Sequence, residues 1–199
     1  MKVLVIGATG AIGNAVVKEL ATRHTVVAAS RSSATHPVDF TNPASVEALF
    51  HKVGKVDAIV ATVGEVHFGP LVEMTREQFR IGLDSKLMGQ VDLVFAGQKY
   101  LNDGGSITLT SGIVGERTIR YGASAASVNK AVEGFAIGAA IELPRGIRIN
   151  VVSPTVLEES MPSYGPYFVG FEPAAAARVA LAYARSVDGL ETGKVYSVW

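Results

Sequence analysis

The sequence predicts an α/β domain, a doubly wound parallel sheet in three layers, with residues 1–199 forming one unit. Three observations carry this. Short β-branched runs alternate with longer segments of helical period, the pattern of strands joined by helical crossovers. The first run, Lys2-Val-Leu-Val-Ile6, is apolar after its opening lysine, as suits a strand covered on both faces. Glycine supplies 21 of 199 residues, above the usual ~7%, and three of these follow the first strand directly.

The elements then read in order. Ala11 to Arg23 carries Ile12, Val16, Val17 and Leu20 at helical spacing. Thr25 to Ala29 is a second strand. Pro43 to Val53 is a helix with proline near its start. Asp57 to Ala61 is a strand. Thr75 to Tyr100 reads as largely helical, with Thr75 and Gln78 spaced as a capping box. Ser106 to Thr110 is a strand, Ser124 to Leu143 a long helix, and Ile147 to Val152 a strand. Pro173 to Ser186 is a helix, and Lys194 to Trp199 a final strand. In such a sheet, ligands bind at the carboxyl ends of the strands, where strand order reverses.

Composition narrows the function. Eighteen Lys and Arg balance eighteen Asp and Glu, so no net basic field draws nucleic acid or an anionic membrane. Cysteine is absent, which removes disulfides, thiolate metal sites and Cys nucleophiles. No His/acid cluster or HExxH pattern suggests a metal. No apolar run reaches the ~18 residues of a membrane span, and the first apolar stretch is too short for a signal peptide. A soluble, cytoplasmic protein is expected.

The first strand leads into Gly7-Ala-Thr-Gly10-Ala-Ile-Gly13 and then a helix. Gly7 permits a tight turn, Gly10 lets a phosphate approach the backbone, and Gly13 lets helix and strand pack closely. The helix start offers free N–H groups and partial positive charge to a pyrophosphate. Gly7, Thr9, Gly10, Ala11, Ile12 and Gly13 are therefore candidates for holding a dinucleotide, and the fold is expected to be Rossmann-type. The second strand runs into Ser30-Arg31-Ser32. No acid is present there to grip a ribose 2′-hydroxyl. A guanidinium and two hydroxyls suit a 2′-phosphate instead, so NADP is favoured over NAD.

These residues resemble the short-chain dehydrogenase/reductase family over nearly the whole chain. The glycine loop corresponds, in the G-x-x-G-x-x-G spacing of divergent members. Asp39-Phe40-Thr41 looks like the segment that meets adenine, and Ala61-Thr62-Val63-Gly64 like the family's N-N-A-G. Val132-Glu-Gly-Phe135 is similar to the catalytic helix. Ser153-Pro154 is similar to the site that touches nicotinamide, with Val156 just beyond. The chain is shorter than the family norm. Only Ser30 to His36 separate the second strand from the stretch before Asp39, too few for a helical crossover. A helix is expected to be missing there, leaving a short or irregular third strand. Met161 to Phe168 is expected to form a defined loop in place of a lid helix.

The resemblance implies hydride transfer, yet the reactive half departs from it. The family uses a Tyr and a Lys four residues apart on one helix face. No Tyr here stands four residues before a Lys. Aligning Val132-Glu-Gly134 puts Ala125 and Asn129 at those positions; a shift of one gives Ala126 and Lys130. Asn129 is then expected at the nicotinamide ribose. Gly112 takes the place of the catalytic Ser, with Ser111 beside it. Lys86 stands where the family has an Asn. Ser111, Lys86 and Tyr121 are the candidate catalytic groups. Glu65 and His67, and the pair Glu158 and Glu159, are weaker candidates, each more ordinarily solvated. The expected activity is NADP-dependent interconversion of a small carbonyl and alcohol. Alternatives are a silent NADP(H)-binding sensor, or an isomerase or cyclase on the same fold. The resemblance also implies a homodimer or homotetramer assembled through the long helices and the final strand.

Overall fold

The computed structural model describes residues 1–199. Six parallel strands form one sheet: β1 (Lys2–Ile6), β2 (Thr25–Ala29), β3 (Val56–Ala61), β4 (Leu101–Thr110), β5 (Arg148–Pro154) and β6 (Val195–Val198). Their order is β2-β1-β3-β4-β5-β6. The chain steps from β1 outward to β2, then crosses to the other side, so strand order reverses between β1 and β3.

Side chains alternate across the sheet. Leu4, Ile6, Ile59, Ile107 and Leu109 enter a core beneath α2 (Pro43–Val53), α4 (Gly89–Gly97) and α5 (Ala123–Ala139). Val3, Val5, Ala58 and Val60 face the opposite way, against α1 (Ala11–Leu20) and α7 (Ala176–Asp188). Three layers result, as the apolar runs predict.

The missing crossover is real. Beyond β2 the chain turns at once, and Ser30 bridges Pro37 as an isolated parallel pair. The Val38 N–H donates to the Ser30 carbonyl oxygen at 3.1 Å. That pairing is all that corresponds to a further strand on this edge.

Several expectations are corrected. The segment Thr75 to Tyr100 is not one α-helix. Thr75 and Gln78 close a capping box at the start of α3 (Arg76–Gly82). A π-helical turn, Leu83–Met88, then precedes α4. β4 begins at Leu101, five residues earlier than the apolar pattern shows, because the polar and small residues 102–105 form an irregularity inside the strand, with Gly104 at φ +72°. α5 ends at Ala139 and α7 begins at Ala176. Met161 to Phe168 is not a plain loop. A 3₁₀ turn (Glu158–Ser160), a one-turn helix α6 (Met161–Tyr164) and another 3₁₀ turn (Gly165–Tyr167) run in succession. Pro162 sits in the first turn of α6, where its missing N–H costs nothing.

Candidate functional site

Two adjoining cavities lie at the carboxyl ends of the strands, by the β1/β3 reversal. The first, about 460 Å³, is lined by Gly7, Thr9, Gly10, Ser30, Arg31, Ser32, Val38, Phe40 and Glu65. The second, about 240 Å³, is lined by Ile12, Lys86, Ser111, Gly112, Asn129, Pro154, Thr155 and Val156, with Val66, Phe68, Val114 and Phe168 as an apolar wall. Thr62, Val63 and Gly64 line both, so the two form one cleft.

The glycine loop is built by contact. Gly7 has φ +88°, and a Cβ on it would lie 2.5 Å from the Thr62 carbonyl oxygen. A Cβ on Gly13 would lie 2.1 Å from the Gly7 carbonyl oxygen. Neither position admits a side chain. Gly10 differs: its nearest neighbour would be 3.4 Å away, so what its bareness leaves clear is the cleft. Thr62 bonds the loop's strand, its hydroxyl donating to the Ile6 carbonyl oxygen at 3.0 Å. Thr9, Gly10 and Ala11 also border a groove of about 500 Å³ between α1 and α7, with Lys18 and Glu159 on it. Ala61 stays behind the cleft, fully buried, its carbonyl accepting from the Thr110 hydroxyl at 2.6 Å.

Asp39 is not in the cleft lining. Its carboxylate accepts from the Thr41 backbone N–H at 3.0 Å and from the Thr41 hydroxyl at 2.7 Å. Those bonds hold the carboxyl below its ordinary value. It is a turn-forming residue, and its neighbours Val38 and Phe40 face the cavity instead.

The π-turn shapes the smaller cavity, the chamber. Gln90 is fully buried and pairs with the end of β4. Its Nε2 also donates to the Lys86 carbonyl oxygen at 2.9 Å, a bond that crosses the widened turn. Lys86 then points to the strand ends, and Nζ donates to the Ser111 carbonyl oxygen at 3.0 Å. No carboxylate joins it. Burial disfavours the ammonium and pushes the lysine down to about 8.

On α5 the two alternative frames place different residues at the chamber. Ala125 and Asn129 line the chamber. Lys130 points elsewhere, to Glu116 at 2.5 Å and Glu133 at 3.0 Å. The chamber wall that could carry a tyrosine ends at the Ala125 methyl.

Two catalytic candidates make other contacts in the structure. The Ser111 hydroxyl donates to Glu133 Oε1 at 2.9 Å and is thereby tied beneath α5. Tyr121 is in the turn before α5 with φ +67°. Its ring packs edge-on against Tyr167, centroids 6.4 Å apart, with the Arg120 guanidinium over it at 4.8 Å. It lies outside the chamber lining. Glu159 is exposed, as expected, yet its carboxylate is engaged. Both its oxygens accept from the Ala176 N–H, at 3.0 and 3.1 Å, capping α7.

The structure adds Thr155, which the sequence did not single out, beside the expected Asn129. Thr155 is 4% exposed, lines the chamber, and its Oγ1 has no partner. Asn129 Oδ1, on a residue 3% exposed, is likewise unpartnered. Buried polar atoms are nearly always bonded, so two such atoms on residues lining one chamber suit a ligand position. The glycine cradle and these orphans fit a dinucleotide running from Arg31 to Pro154.

Comparisons with known proteins agree. The family model described as enoyl-(acyl carrier protein) reductase matches residues 6–196. The crystal structure of lin1944 from Listeria innocua is 51% identical, with each chain covered in full and a TM-score of 0.98. A small-chain dehydrogenase solved in complex with NADPH is 28% identical over all of this chain and 96% of its own, with a TM-score of 0.89. An oxidoreductase of Methylorubrum extorquens is 34% identical over 110 residues, 55% of this chain and 44% of that relative. The chain thus spans less than half of that curated relative's length. With the strand order, glycine cradle and family match together, the chain belongs to the short-chain dehydrogenase/reductase family.

Proposed function

We propose that the protein is an NADP-dependent oxidoreductase acting on a small carbonyl or alcohol, with Lys86 in the proton-handling role. The observation that carries this is the joined cleft. A cavity with one guanidinium opens through Thr62, Val63 and Gly64 into a chamber whose lining residues carry a lone amine and two orphan polar atoms. When bound, the cofactor supplies or accepts the hydride. Gly7, Gly10 and the start of α1 leave room for its phosphates. Arg31, Ser30 and Ser32 receive the 2′-phosphate. Asn129 takes ribose hydroxyls, and Pro154, Thr155 and Val156 flank the ring.

Lys86 supplies the proton to the carbonyl oxygen in reduction and removes it in oxidation. An amine with a value about 8 is poised for both. The Ser111 carbonyl holds Nζ in place, so Ser111 acts through its backbone. Val66, Phe68, Val114 and Phe168 keep water from the reacting atoms. A chamber of about 240 Å³ restricts the substrate to a small molecule once the ring is seated.

The test uses deuterium at nicotinamide C4 across a panel of small aldehydes and ketones. Label in the product alcohol, lost in Lys86→Met, is the expected result. Tight NADPH binding with no label in any product would favour the silent sensor, a reading motivated by the engaged Ser111 hydroxyl and the Ala125 methyl.

No helix is long and apolar enough to cross a membrane; a cytoplasmic location is part of the same proposal. So is a homodimer or homotetramer. Phe95 on α4 and Ile137 on α5 are each 55% exposed, and Ile141 beyond α5 is 89% exposed, an apolar strip suited to a second copy. A monomeric mass by light scattering would remove that part.

A further inference from the structure

We propose that Glu65 sets cofactor specificity: it holds Arg31 when no 2′-phosphate is present, and weakens NADP binding relative to NAD. The inference rests on the NADP reading above. Arg31 follows β2 and Glu65 follows β3, so the two face each other across the mouth of the larger cavity. Arg31 Nη2 donates to Glu65 Oε1 at 3.0 Å. Among that cavity's lining residues, Arg31 is the sole cation and Glu65 the sole carboxylate.

The bond is built to exchange. Both side chains are well exposed, 70% and 61%, so the pair is screened by water and parts readily. The backbone beneath Glu65 is held, its N–H donating to Ser85 Oγ at 3.0 Å in the π-turn. The nearby alternative acid, Asp39, is occupied with Thr41. Arg31 therefore has one acidic partner, and that partner stays at the mouth after release.

A phosphate dianion offers Arg31 more charge and more acceptor oxygens than a carboxylate does. It displaces Glu65, which is left facing the phosphate across the mouth as a like charge. A ribose 2′-hydroxyl makes no such demand, and the Arg31–Glu65 pair persists beside it. Glu65 thus costs NADP affinity that NAD does not lose. The preference expected from Ser30-Arg31-Ser32 alone is narrowed by a residue 34 positions away.

The experiment measures dissociation constants of NADPH and NADH by fluorescence titration for the wild type, Glu65→Gln and Arg31→Ala. The pair 2′,5′-ADP and 5′-ADP, which probes the first cavity without the nicotinamide, is measured alongside. Glu65→Gln is expected to raise the preference for the 2′-phosphorylated ligand about three- to tenfold. Arg31→Ala is expected to abolish the preference. If Glu65→Gln leaves both ratios within twofold while Arg31→Ala lowers them, Glu65 is no determinant and the NADP reading survives. If Arg31→Ala changes neither ratio, the NADP reading fails and the role of Glu65 with it.

Discussion

Gln90 Oε1 accepts from the Thr110 N–H at 2.8 Å while its Nε2 donates to the Thr110 carbonyl oxygen at 3.0 Å. One buried side chain completes a central strand beyond Thr108, where its ladder with β3 ends. Gln90→Leu keeps the volume and strands both backbone groups. A loss of about 3 kcal/mol is expected, read as a Tm lower by about 6–12 °C for a chain of this size. Gln90→Glu keeps the acceptor and is expected to fall between Gln90→Leu and the wild type in a thermal melt.

Lys86 gives a pH signature. Its side chain is half-buried, and lost solvation lowers the amine to about 8 from 10.5. In reduction the protonated form is needed, so kcat/KM is expected to decline as pH rises through about 8. Lys86→Met should lower the rate by about 10²–10⁴-fold and erase that limb of the profile. Stability moves the other way. Between about 8 and 10.5 the unfolded chain holds more protons at this site than the folded chain. Stability contributed by this group therefore rises with pH across that window, and Lys86→Met should flatten the rise in denaturant titrations.

The glycine loop separates folding from binding. Gly13→Ala would place a methyl 2.1 Å from a backbone oxygen, so the loop must move and the Tm must fall. Gly10→Ala meets only an ordinary 3.4 Å contact. It is expected to melt close to the wild type yet bind NADPH at least about tenfold more weakly, its methyl filling the phosphate approach. Equal losses of stability in the two variants would contradict this division.

Ser111→Ala should behave unlike loss of a catalytic serine. The hydroxyl bonds Glu133, while the backbone carbonyl holds Lys86. Turnover is expected to drop less than about tenfold, well short of the loss of an acid–base group. The Tm should fall, because a buried carboxylate loses a donor. A pH profile unchanged in shape would confirm that Lys86 still titrates.

Glu159 joins the segment beyond β5 to α7. Removing its carboxylate in Glu159→Ala leaves the Ala176 N–H uncapped, worth about 1 kcal/mol. Limited proteolysis is expected to speed up between Glu159 and Phe171, with cleavage inside the sheet unchanged.

The parts legible in the sequence were those governed by local spacing. Gly7, Gly10 and Gly13 follow a strand at the intervals of a phosphate-binding turn, and the short Ser30 to His36 connection left no room for a helix. Lys86 was singled out because the family resemblance puts it where the family has an Asn. Other features depend on contacts between distant residues. Whether Ser111 turns its hydroxyl to the chamber or to Glu133 is decided by a helix 22 residues later. The reach of Asp39 was decided by a neighbouring threonine that competes for its carboxylate. Thr155 carried no motif at all; only its buried, unpartnered oxygen reveals it.

The π-turn at Leu83–Met88 amounts to one residue too many for a regular helix. Deleting a single residue within it, after Lys86, would let α3 run straight into α4. Each removed residue turns what precedes it by ~100° about the helix axis. Gln90 would keep its grip on Thr110, while Lys86 would swing off the strand ends. In this chain, one inserted residue is what aims Lys86 at the Ser111 carbonyl.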